Sequence, residues 1–224
     1  MSKYLRTKDE ERIFMFLDLK SSTTIVEEIG HRRYFEFISD FIADATTPIL
    51  NNHGEIYQYV GDEIVISWRI DKGQYDPHCI QCFFDIKSQI EQLSAKYQAK
   101  FDVVPEFKAG LHYGNVTVGE VGVVKKDLIF SGDAINTTAH IQTKCNEYDA
   151  ELLISSDLVG KLTTEAYEIK RIGDIRLKGK QVLVELNSVH LMVSSKEISG
   201  GTVDSFSYFK ERILEYHQST KVAS

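Results

Sequence analysis

Residues Ile56 to Trp68 read IYQYVGDEIVISW. Two runs rich in Ile, Val and Tyr flank Gly61-Asp62, and a Gly-Asp dipeptide between β-type runs predicts a tight hairpin with the Asp at its tip. A carboxylate held by a short turn between two largely apolar strands has little rotational freedom. That suits a group that must hold a metal ion in place, although an Asp in a turn also serves local hydrogen bonding alone.

Working outward toward the N-terminus, the stretch from Arg12 to Leu17 carries the apolar run IFMFL, bounded by charge before it and by Asp18 after it. This predicts a buried strand that ends in a carboxylate. The small hydroxyl residues of LKSSTT follow, and then Ile25, Ile29, Tyr34, Phe37, Ile38, Phe41 and Ile42 recur at helical period, predicting one amphipathic helix that ends near Pro48. The loop NNHG leads into the hairpin. Beyond the hairpin a second helical pattern begins at Asp76-Pro77 and runs through Ile80, Phe83, Ile86, Ile90 and Leu93. A second strand pair is predicted over Phe107 to Tyr113 and Val116 to Val123, joined through Gly114-Asn115.

The order β, helix, β-hairpin, helix, β is the split βαβ, an α+β ferredoxin-like core, here with a C-terminal β/α elaboration. In that topology the first strand lies in mid-sheet beside a hairpin strand, so Asp18 and Asp62 meet in space despite their distance in sequence. A further helix after Gly132-Asp133 carries Asn136 and His140, which stand one turn apart and share a face. From Leu152 to Val189 the pattern predicts a strand, a short helix opening at Ser155-Ser156-Asp157, and two strands joined by the basic turn Arg176 to Lys180. The expected organisation is a polar extension over residues 1–11, one domain over 12–191, and a tail over 192–224 in which Phe206 to Tyr216 forms an amphipathic helix.

At 224 residues the chain is long enough to bury a core without disulfide or metal staples. A net charge of -7 argues against an electrostatic footprint for nucleic acid. No apolar run is long enough to cross a bilayer, so no membrane segment is expected in this chain. Three cysteines, Cys79, Cys82 and Cys145, cannot all pair, and their number fits the reducing cytoplasm. Cys79 and Cys82 sit in a helical pattern and read as core. His31, His53, His78 and His112 lack metal-ligand spacing, and Lys125-Lys126 reads as a solvated turn.

Two carboxylates on rigid strands, one followed directly by a Ser/Thr-rich turn, form a platform for divalent cations and a triphosphate. The stretches FLDLKSST (Phe16 to Thr23), YQYVGDEIVIS (Tyr57 to Ser67), AGLHYGNVTVGEVG (Ala109 to Gly122) and FSGDAINTTAHIQ (Phe130 to Gln142) stand in the order seen in class III nucleotidyl cyclases, and the chain resembles the catalytic domain of that family from about Arg12 to Leu191. The resemblance implies that Asp18 and Asp62, with Leu19 beside them, bind two Mg²⁺ or Mn²⁺ ions. It places the backbone of Leu19, Lys20, Ser21, Ser22 and Thr23 against the triphosphate, Asn136 on the ribose and Lys178 on the terminal phosphates, with Lys180 as a second candidate. The implied reaction is attack of the ribose 3′-oxygen on the α-phosphorus of a nucleoside triphosphate, releasing pyrophosphate and a 3′,5′-cyclic nucleotide. The implied assembly is a head-to-tail homodimer with two equivalent sites at the interface.

Two positions depart from the family pattern. An arginine usually stands one turn after the asparagine, where it stabilises charge on the α-phosphate; this chain has His140, shorter and lacking a permanent charge. The base-reading positions hold Gln58 and Ile129 in place of the usual purine code. ATP, the commonest family substrate, is the expected substrate, and a pyrimidine triphosphate, as in the pyrimidine cyclases of bacterial phage defence, stays open. His140 and the missing base code also allow a second reading, a degenerate cyclase domain that binds nucleotide or acts as a regulatory dimerisation module.

Overall fold

The computed structural model describes residues 7–70, 75, 78–176 and 183–192. The chain divides into two units, residues 1–190 and 191–224, and the elements below build the first. Lys178, Lys180, Asp76-Pro77 and the stretch Phe206 to Tyr216 lie outside the described residues.

The apolar run from Ile13 to Leu17 does form the central strand, β1 (Lys8–Leu19), which begins four residues before the apolar run's flanking Arg12. It pairs antiparallel on one side with β3 (Glu63–Arg69) and on the other with β4 (Phe107–Val121). The sheet continues from β3 to the edge strand β2 (Glu55–Val60). On the other flank β4 runs parallel to β6 (Leu152–Ser155), and β8 (Leu183–Leu191) and β7 (Tyr167–Arg176) complete the order β2-β3-β1-β4-β6-β8-β7. Its first four strands have the order of the split βαβ, as the sequence predicts.

Because side chains alternate across a strand, β1 serves two cores at once. Ile13, Met15, Leu17 and Leu19 share a face with Phe107, the cross-strand partner of Leu19. Phe41 and Phe83 pack on Phe107 from that side at 5.6 and 5.4 Å, carried by the helices α2 (His31–Asn51) and α3 (His78–Gln92). Phe14 and Phe16 point the other way, into a cluster with Val65, Val116, Val118, Phe130 and Ala134. Phe130 belongs to β5 (Asp127–Ser131), which pairs with the far end of β4, and Ala134 to α5 (Asp133–Thr143). Asp18 follows Phe14 and Phe16 in the alternation and therefore lies on the α5 side of the sheet.

Two local expectations are corrected. The amphipathic stretch predicted as one helix is two, α1 (Ser22–Ile29) and α2, broken at Gly30, whose φ of 80° no α-helix accommodates. Helix α2 also runs past Pro48 to Asn51, and the Pro48 carbonyl is satisfied by both the backbone and the side chain of Asn52. The second helical pattern is the single helix α3, and a short further helix, α4 (Ser94–Phe101), follows it beyond the reach of that periodicity.

The largest correction concerns Gly114-Asn115, which is not a turn: β4 runs unbroken through it for 15 residues, and the hairpin partner of its far end is β5. The glycine serves a close approach instead. A Cβ at Gly114 would stand 3.1 Å from the Ala134 Cβ, and one at Gly110 would stand 2.5 Å from the Gln142 nitrogen. The two glycines let α5 lie directly on β4. Helix α6 (Ser156–Val159) opens as expected, capped by Ser155, whose hydroxyl oxygen accepts from the Leu158 amide. No helix among the described residues is long and apolar enough to cross a membrane.

Candidate active site

Asp18 closes β1, and Asp62 occupies the turn between β2 and β3. The sheet order brings the two together closely enough that the charge of Asp62 acts on Asp18. Asp18 is held above the usual carboxylate range, first by burial and then by the charge of Asp62. Glu63, next along the turn, is pushed up to about 7 by burial, Asp18 and Asp62. Two acids whose proton affinity is raised beside a third carboxylate, Asp62, mark a place where positive charge is wanted.

Part of that charge is built in. Lys108, the cross-strand partner of Asp18, brings its Nζ to 3.5 Å from Asp18 Oδ2 and donates to Asn146 Oδ1 at 3.0 Å. The Gln142 amide donates to the same Asp18 oxygen at 2.9 Å. On the other carboxylate, the Tyr34 hydroxyl donates to Asp62 Oδ2 at 3.0 Å, and burial together with Asp62 raises the phenol to about 12. Tyr34 is fixed from behind by stacking on the buried Phe37, with ring centroids 6.2 Å apart. Both carboxylates thus have a neutral donor that sets their orientation and leaves other lone pairs uncommitted.

After Asp18 the chain turns sharply. Leu19 is buried, Lys20 donates its backbone N–H to the Glu106 carbonyl at 2.8 Å, and Ser21 takes a left-handed φ of 57°. Helix α1 starts at Ser22 with no side chain capping its first turn. The open amides of a helix start are suited to anionic oxygen. They border a cleft of about 710 Å³ lined by Ser22, Thr23, Val26, Glu27, Gly30, His31, Tyr34 and Asp62. Asp62, the hydroxyl-rich turn and the helix start therefore line one cleft, with Asp18 beside Asp62.

Asn136 and His140 do not join them. Both are exposed on the outer face of α5, whereas Ala134, Thr137, Thr138, Ile141 and Gln142 form its buried face. Gln142 lies roughly 200° around the helix from His140, and it is Gln142 that meets Asp18. Asn136 lines a second cleft, of about 670 Å³, with Tyr113, Asn115 and Ser131 among its walls. The two clefts have no lining residue in common.

Gln58 and Ile129 come from distant strands yet flank a direct contact. Tyr57, beside Gln58, packs against Phe130, beside Ile129, with centroids 4.6 Å apart and the rings tilted by 59°. Gln58 is exposed and Ile129 is 41% exposed. Sequence reasoning did not pick out Lys108, Gln142, Tyr34 or Glu63 as site residues. Tyr34 sat in a helical period and read as core, and the register that puts Lys108 opposite Asp18 has no signature in either stretch alone.

No group of three or more His, Cys, Asp or Glu able to hold a metal occurs among the described residues. Two carboxylates with oxygen donors nevertheless match Mg²⁺ and Mn²⁺, which commonly take one or two protein carboxylates and complete their shell from substrate phosphate and water.

The family model described as the adenylate and guanylate cyclase catalytic domain matches residues 6–191. Adenylate cyclase 2 of Rhizobium meliloti (strain 1021) is 36% identical over 179 residues, covering 80% of this chain and 49% of that protein. The adenylate cyclase of Anabaena cylindrica is 25% identical over 186 residues, covering 78% of this chain and 36% of that protein. The chain spans half or less of the length of these curated relatives. Among solved structures, the adenylyl cyclase CyaB from P. aeruginosa shares the fold with a TM-score of 0.74 at 18% identity, covering 85% of this chain and 98% of that one. The guanylyl cyclase Cya2 does so with a TM-score of 0.72 at 16% identity, covering 85% and 96%. A family match over most of the chain, joined to a central sheet that carries Asp18 and Asp62 to one surface, makes this chain a member of the adenylate and guanylate cyclase catalytic domain family.

Proposed function

We propose that the chain is a metal-dependent nucleotidyl cyclase that converts a nucleoside triphosphate, ATP in the first instance, to a 3′,5′-cyclic nucleotide and pyrophosphate. The observation that carries this reading is the convergence of Asp18 and Asp62 beside the uncapped start of α1, with Asn136 and His140 turned to the opposite face of α5. ATP is supported by the relative at 36% identity, which is named an adenylate cyclase. The catalytic domain spans residues 12–191, and its three buried cysteines suit a cytoplasmic, reducing setting.

Asp18 and Asp62, with the Leu19 backbone beside them, would hold two Mg²⁺ or Mn²⁺ ions. When bound, such ions supply Lewis-acid polarisation and a lowered pKa for the ribose 3′-hydroxyl. The 3′-oxygen forms a bond to the α-phosphorus, the bond from that phosphorus to the bridging oxygen of the β-phosphate breaks, and the hydroxyl proton leaves to solvent. Tyr34 and Gln142 keep the two carboxylates aimed. The backbone from Leu19 through Lys20, Ser21 and Ser22 to Thr23 binds the phosphates, and Lys108 limits the charge gathered at Asp18. Asn136 orients the ribose, His140 donates to the α-phosphate, and Gln58 and Ile129 border the base. Lys178 and Lys180 are assigned to the terminal phosphates by the motif alone.

Because α5 sends Gln142 to its own chain's Asp18 and presents Asn136 and His140 outward, one chain offers two half-sites facing different ways. A head-to-tail homodimer joins the acid half of one chain to the Asn136 half of the other and closes two equivalent sites. The second reading, a degenerate regulatory module, draws on His140 and on the missing base code at Gln58 and Ile129.

The test is to incubate the purified chain with Mn²⁺ or Mg²⁺ and each of ATP, GTP, CTP and UTP separately, and to resolve the products by mass. Cyclic product that disappears in Asp62→Ala is expected. Tight nucleotide binding with no product from any of the four would favour the regulatory module.

A further inference from the structure

The base-bordering residues Gln58 and Ile129 sit on two strands that are not hydrogen-bonded to each other in the sheet. Gln58 is on the edge strand β2, and Ile129 on β5, which pairs with β4, three strands away from β2. What spans the gap is Tyr57. It is the extra residue of a β-bulge: Ile56 pairs with Ile66 and Gln58 with Val65, which leaves Tyr57 without a partner in the ladder. A bulge re-aims the side chain it extrudes, and here the ring leaves the sheet for β5. The Tyr57 ring packs on Phe130 at 4.6 Å with the planes tilted by 59°, and its hydroxyl oxygen accepts from the Phe130 backbone N–H at 3.2 Å.

Phe130 is clamped from its other sides. Phe14 meets it edge-on at 5.7 Å, and the Arg12 guanidinium lies over the ring with Cζ 4.6 Å from the centroid. Arg12, 1% exposed, donates from both terminal nitrogens to Glu55 Oε2 at 3.0 and 2.9 Å, and from one of them to Ser67 Oγ at 2.7 Å. Glu55 opens β2. The buried cation is thus bound to β2 by hydrogen bonds while its face holds β5 through the ring. Two independent links, one through Tyr57 and one through Arg12, run between the same pair of strands.

We propose that Tyr57 is a specificity-determining positioning residue: it latches β5 to β2, with Arg12 behind it, and so fixes the spacing between Gln58 and Ile129 to which the base must conform. This rests on the reading of Gln58 and Ile129 as the base site. Tyr57 acts through its neighbours, so its loss changes which base fits more than it changes the reaction.

The test compares wild type with Tyr57→Phe, which keeps the ring and removes the acceptor, and with Phe130→Leu, which removes the shared ring. Phe83→Leu, on the opposite face of the sheet, is the control for general loosening. kcat/KM is measured for ATP, GTP, CTP and UTP, and binding of ribose-labelled mant-ATP and mant-GTP is measured by fluorescence on the same proteins. A change of at least about fivefold in one of the base ratios in Tyr57→Phe or Phe130→Leu, with ratios unchanged in Phe83→Leu, is the expected result. Ratios within twofold of wild type in both latch variants overturn the proposal, as does an equal shift in Phe83→Leu. A wild type that binds both labelled nucleotides and forms no cyclic product contradicts the cyclase reading, and the latch is then judged on the binding ratios.

Discussion

The Gln142 side-chain amide donates to Asp18 Oδ2 at 2.9 Å, so the helix that displays Asn136 and His140 outward is tied on its inner face to a carboxylate of its own chain's acid pair. The approach depends on Gly110, where any side chain would collide with the Gln142 backbone. Partners of this kind, one step removed from a metal, typically set metal affinity by about 10- to 100-fold. Gln142→Leu is expected to weaken Mn²⁺ binding, read by electron paramagnetic resonance, by about tenfold, and Tyr34→Phe to do the same through Asp62. Unaltered Mn²⁺ affinity in both variants would remove the orienting role of these donors.

His140 stands where the family pattern has arginine. A histidine offers fewer donors and no permanent charge, and losing a preorganised donor at a developing charge costs about 100- to 1,000-fold in rate. The wild-type chain is therefore expected to be slow, and His140→Arg to raise kcat with little change in KM. Equal or lower turnover in the variant would show that this position does not face the α-phosphate.

His112 supplies a dependence on pH away from the acid pair. Burial lowers its pKa to about 4, against a smaller opposing effect of Asp157, and its Nδ1 stands 2.8 Å from Ser155 Oγ. Ser155 Oγ accepts from the Leu158 amide, which leaves its O–H to donate to a neutral imidazole. Between pH 4 and the unfolded value near 6.5 the unfolded chain binds the extra proton, so stability falls as the solution is acidified through that window. Denaturant unfolding at pH 7.5 and 4.5 should show wild type losing up to about 3 kcal/mol more than His112→Gln. Parallel losses would place the acid sensitivity elsewhere.

The acid half of the site was legible in the sequence because each part is a local signal: an apolar run that stops at Asp18, a Gly-Asp turn between β-type runs, a hydroxyl-rich segment before a helical period. Gly114-Asn115 misled for the same reason. A Gly-Asn pair between apolar runs looks like a turn, and only the packing of Ala134 against it explains a glycine in mid-strand. Gly30 was hidden inside a continuous helical period, which does not register a single residue at φ 80°. Lys108, Gln142 and Tyr34 depend on register and on helix placement, long-range facts that no window of sequence carries. Tyr57 likewise reads as an ordinary strand aromatic until the ladder shows that it is the bulge.

Asp62 and Asn136 are proposed to serve one reaction from two different chains. Asp62→Ala and Asn136→Ala, each inactive alone, are mixed after partial unfolding and refolding, and cyclic nucleotide is measured by mass. Recovery to about a quarter of wild-type activity is expected, since half of randomly assorted dimers are mixed and each holds one intact site. No recovery in a mixture shown by mass to contain the mixed dimer would contradict it.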